Sequence, residues 1–351
     1  MQFRSVWLDR QKFYLWLSMS IAGGLVGLAY VALVYPQDAT GQGSSLLGLV
    51  IGLLIGSSIA AFELFFVTHP YSVIRRLSFV PALLVRVGVH FALISSIIAL
   101  CQIGYDRING TEIFELTTQG LINHLTDVSF SLVVSAAIVF YMQMRIYIGN
   151  PTLLDVVIGR YARPHVEGHI FAIFDIPGTT KTAQKIGDVA FHRYLNQLFV
   201  LFDRPVTRNG GVVHSYVGDA LIAVWPLRDD KSANARVLAA VREVVEICKA
   251  EADHVETLFG ARPGVRVAIH GGDIVVGETG DSKRQITYLG DVMNIASRIE
   301  AKTKELNRPL LVSAELLERM VIPEGMHAEA IGAHDVKGSQ RAIELAELHI
   351  D

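Results

Sequence analysis

With two cysteines in 351 residues, Cys101 in an apolar stretch and Cys248 in the polar half, the chain has no disulfide framework, as suits a reducing cytosol. Basic excess is missing too. The net charge is −3 with histidine neutral, and no basic stripe with interleaved aromatics marks a nucleic-acid partner. Internal repeats and low-complexity segments are absent, which excludes a solenoid. No small-residue cleavage site follows the first apolar run, so that run reads as an anchor helix and not as a removable signal peptide. Charged residues make up only 19%. The mean hydropathy of +0.38 is too high for a wholly soluble protein, yet that charge is too much for a wholly embedded one.

What is present divides the chain. Four apolar stretches, at about residues 14–35, 45–67, 81–103 and 126–148, are each near the roughly 20 residues a helix needs to cross a bilayer. Arg4, Arg10 and Lys12 precede the first, Arg75 and Arg76 lie in the second loop, and Arg145, Arg160 and Arg163 follow the last. The first loop has no Lys or Arg, and the third has Arg107 alone among Asp106, Glu112 and Glu115. Positive-inside logic puts both termini in the cytoplasm and turns the sequon Asn109-Gly110-Thr111 outward. The expected location is the inner (plasma) membrane, multi-pass, with membrane lipid around the helices. Scarce polar residues along the four stretches argue against a pore. Gly48, Gly52 and Gly56 form a small-residue ridge for close helix approach, or reflect the general glycine content of membrane helices. Glu63 and Arg86 lie at matched depth, ~6 to 8 Å inside the cytoplasmic boundary, and are expected to pair. His90 shares Arg86's face and reads as a packed histidine in preference to a haem ligand, because His69 and His124 lie at opposite ends of the spans.

Residues 1–148 thus form a membrane domain, 149–168 a linker and 169–351 a polar domain. In the last, the pattern predicts a strand HIFAIFD at 169–175, a helix at 180–207, a hairpin at 212–226 and a helix at 231–259. Strands at 265–270, 273–278 and 285–289, a helix at 291–304 and a final strand region follow. The order matches a ferredoxin-like βαββαβ core with additions, an α+β fold.

The hairpin VVHSYVGDALIAVWP carries Gly218 and Asp219 at its tip, which turn chemistry alone explains. Asp175, however, ends the apolar strand just before Ile176-Pro177-Gly178-Thr179-Thr180 and a helix, where backbone N–H groups face an anion. In a βαββαβ core the first strand lies beside the hairpin, so Asp175 and Asp219 converge. Two such carboxylates suit Mg²⁺ or Mn²⁺ shared with phosphate oxygens. Asn294 and Arg298 sit four apart on one helix face, an amide and a guanidinium for a ribose oxygen and a developing phosphoryl charge. His214 and Asp291 read as structural, and no dedicated base is evident.

FDIPGTT, VGDALIAVW and YLGDVMNIASRIE, in this order, resemble the class III nucleotidyl (adenylate/guanylate) cyclases of the membrane-anchored bacterial type, over about residues 169–345. The resemblance implies two metal ions, Mg²⁺ or Mn²⁺, per active site, held by Asp175, Asp219 and the Ile176 carbonyl. It further implies ATP as substrate, with Asn294 orienting the ribose, Arg298 stabilising the transition state, and Lys337 of DVKG gripping the triphosphate beside Gly178, Thr179 and Thr180. Sites in this family are split between subunits, so one cyclase domain implies a homodimer. Ser215 stands where most adenylate cyclases of the family have Lys and guanylate cyclases have Glu; Thr287 fits one adenylate subgroup. A guanylate cyclase, or a silent receptor using the fold as a dimerising module, are the alternatives. The four retained polar residues argue against silence, and no GG[DE]EF-type sequence points to a diguanylate cyclase.

Overall fold

The computed structural model describes residues 3–34, 45–67, 72–110, 118–148, 159–281, 285–334 and 342–351. Its contacts divide the chain into two compact units, Met1–Ile146 and Tyr147–Asp351.

The first unit contains four long helices: α1 (Phe3–Val34), α2 (Ser45–Ala61), α3 (Phe79–Asn109) and α4 (Thr118–Ile148). All four are long and apolar enough to cross a membrane, over Phe13–Val34, Ser45–Val67, Phe79–Ile108 and Gly120–Phe140. The glycine ridge of α2 has a counterpart on α1. A Cβ on Gly23 would lie 2.5 Å from the Gly52 carbonyl oxygen, and one on Gly56 2.7 Å from that of Met19. The backbones of α1 and α2 therefore touch, as small residues allow. Ile59, Ile94, Ile98 and Val128 form a small core joining α2, α3 and α4. Past Ala61, α2 continues as a π-helical turn, Phe62–Val67, the kind of irregularity that re-aims a side chain. It carries Glu63, buried at 2% exposure, whose carboxylate takes two hydrogen bonds from Arg86: Nε to Oε1 at 2.9 Å and Nη2 to Oε2. The expected pair forms, and His90 joins it with Nε2 3.3 Å from Glu63 Oε1 and Nδ1 2.6 Å from Ser135 Oγ.

The second unit is built on an eight-stranded sheet: β1 (His165–Asp175), β2 (Val212–Val217), β3 (Ala220–Pro226), β4 (Arg266–Thr279), β5 (Gln285–Leu289), β6 (Leu310–Ser313), β7 (Met326–His334) and β8 (Ile343–Ile350). Its order is β2-β3-β1-β4-β6-β8-β7, with β5 on β4. The first four strands, with antiparallel neighbours, are the ferredoxin-like arrangement read from the sequence. Helices α5 (Thr179–Ile186) and α6 (Asp188–Arg208) connect β1 to β2. Helices α7 (Lys231–Asn234), α8 (Arg236–Ala250) and α9 (Ala252–Phe259) connect β3 to β4. Helix α10 (Asp291–Glu305) follows β5, and α11 (Ala314–Leu317) follows β6.

Strand alternation sorts β1 between two layers. Ile170, Ala172, Phe174 and Ile176 join Tyr194, Leu198 and Phe202 of α6 and Val237, Val241 and Val244 of α8. Phe171 and Ile173 face Val292 and Ala296 of α10. At about 1.5–3 kcal/mol per large apolar side chain buried, these two cores fix the sheet between its helix layers. The expected strands at 265–270 and 273–278 are one strand, β4. The intervening Gly271 and Gly272 are not a turn but close-approach positions, where a Cβ would meet Leu316 at 2.9 Å and Val292 at 3.1 Å. The expected helices at 180–207 and 231–259 are each interrupted, the first at Gly187 with φ 81°.

Candidate active site

Asp175 is the last residue of β1, and its odd position places it on the α10 face with Phe171 and Ile173. It pairs with Ala220 at the start of β3 and with Arg266 at the start of β4. The neighbouring hairpin has a two-residue loop, with Gly218 at φ 60° and Asp219 outside the positive-φ region, the II′ pattern that fits strand twist. The tip folds onto the end of β1, where the Ile176 N–H donates to the Asp219 carbonyl at 3.2 Å. Gly178, at φ 76°, turns the chain into α5, and the Thr179 hydroxyl donates to Asp219 Oδ2 at 2.6 Å. Thr179 therefore holds the second carboxylate with its side chain.

The electrostatics of Asp175 are unusual. The residue is 2% exposed; Lys304 Nζ lies 3.2 Å from Oδ1, and Arg266 Nη1 lies 3.7 Å from Oδ2. Lys304 also pairs with Glu300 at 2.7 Å. Oδ2 accepts no hydrogen bond from the described residues. Burial pushes the Asp175 carboxyl above its usual range; Lys304 opposes the shift, while Glu300 and Asp219 add to it. A desolvated carboxylate oxygen without a donor, in a cluster of further acids, is a place for an added cation. The residues fit Mg²⁺ or Mn²⁺, since carboxylates and a backbone carbonyl are hard oxygen donors.

Asn294 and Arg298 lie on α10, Asn294 exposed with its amide 3.5 Å from the Gly290 carbonyl oxygen, Arg298 half-buried. Arg298 pairs with neither aspartate. Lys304, which does reach Asp175, is ten residues beyond Asn294, about 15 Å along the helix axis. Ser215 is half-buried on β2, next to a bulge at His214, whose ring meets Tyr288 edge-on at 5.0 Å. Thr287, beside Tyr288 on β5, shares a 2.7 Å hydrogen bond with Thr279. One chain thus brings together Asp175, Ile176, Gly178, Thr179 and Asp219, with Thr180 exposed on α5. Ser215, Thr287, Asn294 and Arg298 belong to other elements. Lys337 lies outside the described residues. Sequence reasoning missed Lys304, Arg266 and Glu300; Lys304 sits in the run EAKTKE, which looks like any solvated helix end.

The adenylate and guanylate cyclase catalytic domain family matches residues 167–346, and the chain belongs to that family. "Adenylate cyclase 2" of Rhizobium meliloti (strain 1021) is 32% identical over 339 residues, covering 95% of this chain and 89% of that protein. An adenylate cyclase of Anabaena cylindrica is 28% identical over 179 residues, which are 50% of this chain and 35% of that one. Among solved structures, a bacterial light-regulated adenylyl cyclase is similar with a TM-score of 0.53 at 20% identity, covering 65% of each chain, a likeness of fold alone.

Proposed function

We propose that the chain is a membrane-bound adenylate cyclase that converts ATP to 3′,5′-cyclic AMP and pyrophosphate in a homodimer with shared sites. In this reading residues 1–148 are the membrane domain, 149–168 the linker and 169–351 the catalytic domain, which is cytoplasmic by the positive-inside pattern. The observation that carries it is the buried Asp175, whose Oδ2 has no donor among the described residues, beside Asp219 at the hairpin tip. Asp175, Asp219 and the Ile176 carbonyl would hold two Mg²⁺ or Mn²⁺ ions. Such ions, when bound, acidify a hydroxyl and neutralise triphosphate charge.

The chain's own groups supply the rest. Backbone N–H groups at Gly178, Thr179 and Thr180 face the phosphates at the start of α5. Thr179 fixes the Asp219 carboxylate through its hydroxyl. Asn294 orients the ribose so that its 3′-oxygen, its proton passing to solvent, bonds to the α-phosphorus as the bond to the pyrophosphate oxygen breaks. Arg298 stabilises the charge that develops, and Lys337 grips the triphosphate. Ser215 and Thr287 border the base. The roughly 15 Å between Asn294 and the Lys304 end of α10 supports sites completed by a partner's Asn294 and Arg298. ATP is favoured over GTP by the name of the Rhizobium meliloti relative. The membrane domain is the regulatory input.

The test is to purify the full chain in detergent, supply ATP and GTP separately with Mn²⁺, and identify products by mass spectrometry. Cyclic AMP from ATP, lost with chelator and in Asp219→Ala, is expected. No cyclic product from either nucleotide would overturn the reading.

A further inference from the structure

Within the first unit, α1, α2, α3 and α4 line a partly open cavity of about 270 Å³. That is nearly twice the ~150 Å³ of an apolar cavity that accepts a benzene ring, and close to the ~300 Å³ at which ligand sites begin. Most of its wall is apolar, formed by residues such as Val26, Ile51, Ile55 and Val134 over the glycine ridge. One end is polar. There Asp127 of α4 accepts hydrogen bonds on both carboxylate oxygens, from the Tyr30 hydroxyl of α1 at 2.7 Å and from the Gln102 amide of α3 at 3.1 Å. Gln102 is 6% exposed, and the Tyr30 ring stacks on Phe130 at 4.3 Å, so the polar end is held in place from three helices.

A long apolar wall closed by a fixed carboxylate selects its contents. Water is poorly held along such a wall, because a buried water needs two to four polar partners. An alkyl chain suits the wall. At the polar end the Asp127 carboxylate is a hydrogen-bond acceptor, so it suits a hydroxyl donor and repels an anion. From this geometry we infer that the membrane domain binds a neutral single-chain lipid bearing a free hydroxyl, its head on Asp127 and its chain along the glycine ridge. Ser135 lines the same cavity and bonds to His90, which faces the Glu63–Arg86 pair. An occupant therefore lies two contacts, Ser135–His90 and His90–Glu63, from the ion pair that joins α2 to α3.

The inference rests on the membrane embedding proposed above, and the test separates the two. The full chain is reconstituted in phosphatidylcholine vesicles, floated on a density gradient, and irradiated with photoreactive hexadecanol or with photoreactive hexadecanoic acid of the same chain. The alcohol should label peptides spanning 19–31 and 127–138 about tenfold more than the acid, an energy difference of about 1.4 kcal/mol. Asp127→Asn should bring the two probes to parity, and Ser131→Phe, which obstructs the cavity, should sharply reduce labelling there by both while the chain still floats. Equal labelling of wild type by both probes would overturn the inference. So would labelling confined to the outward Leu25 and Leu33, or cysteine cross-links showing a second copy of the chain seated in the cavity. A chain that does not float would fail the membrane embedding itself, and the inference with it.

Discussion

Lys304 occupies the position that a metal ion would claim. Its ammonium lies 3.2 Å from Asp175 Oδ1, and a divalent cation arriving there meets a like charge that has to move. Lys304→Gln should therefore lower the Mn²⁺ concentration giving half-maximal activity several-fold, by about 1 kcal/mol, with the KM for nucleotide little changed. A raised Mn²⁺ requirement would show that the lysine helps to assemble the site. His270 carries a different consequence. Burial holds its imidazole down to about 4, below the ordinary 6.5, and its Nδ1 lies 2.8 Å from Ser313 Oγ. A histidine depressed on folding contributes stability above its unfolded pKa and loses it as pH falls. The loss should thus begin near pH 6.5 and reach about 3 kcal/mol by pH 4. His270→Gln, which keeps a hydrogen-bonding group without the titration, should flatten that part of the stability profile, as read by pulse proteolysis in urea. An unchanged profile would place the acid sensitivity elsewhere.

At the scale of elements, close backbone contact makes α1 and α2 one unit. Gly52→Leu drives a side chain into the Gly23 carbonyl, whereas nothing lies within 4 Å of a Cβ on Gly88 of α3. The first change should cost more than about 2 kcal/mol and the second, as Gly88→Ala, should be neutral or slightly stabilising, measured as thermal stability in detergent. Helices α2 and α3 are joined by charge. Glu63→Gln or Arg86→Gln alone should cost about 3–5 kcal/mol by leaving a buried charge, and the double replacement should cost less than either. Additive losses would mean that the two do not depend on each other. The pair was legible in the sequence because depth in a membrane helix is counted directly from its end. The turn at Asp219 and the end of β1 were legible for a similar reason, since alternating apolar runs stop where the carboxylates begin. Strand β4 was not. Gly271-Gly272 looks like a turn unless the side chains of Leu316 and Val292, distant in sequence, are known to press on it. Lys304 was hidden likewise, because only the packing of α10 antiparallel to β4 carries a helix-end lysine to Asp175.

For the whole molecule, the proposal is that neither copy of the chain works alone. Helix α10 places Asn294 about 15 Å along its axis from Lys304, the residue that reaches Asp175 of the same chain, so each site would draw metal ligands from one copy and the amide and guanidinium from the other. Asp175→Ala and Arg298→Ala should each be nearly inactive, by about 10³-fold or more, for lack of metal ligation and of the transition-state cation respectively. Co-expressed equally, about half the dimers are heterodimers; in each, one site collects both lesions and the other collects none. The measurement is cyclic AMP formation by the co-purified mixture, with differently tagged chains to demonstrate association. The shared-site account predicts recovery to roughly a quarter of wild-type activity, half the dimers with one of two sites intact. If the chains associate and nothing is recovered, Asp175 and Arg298 serve the same chain's site, and the account is contradicted.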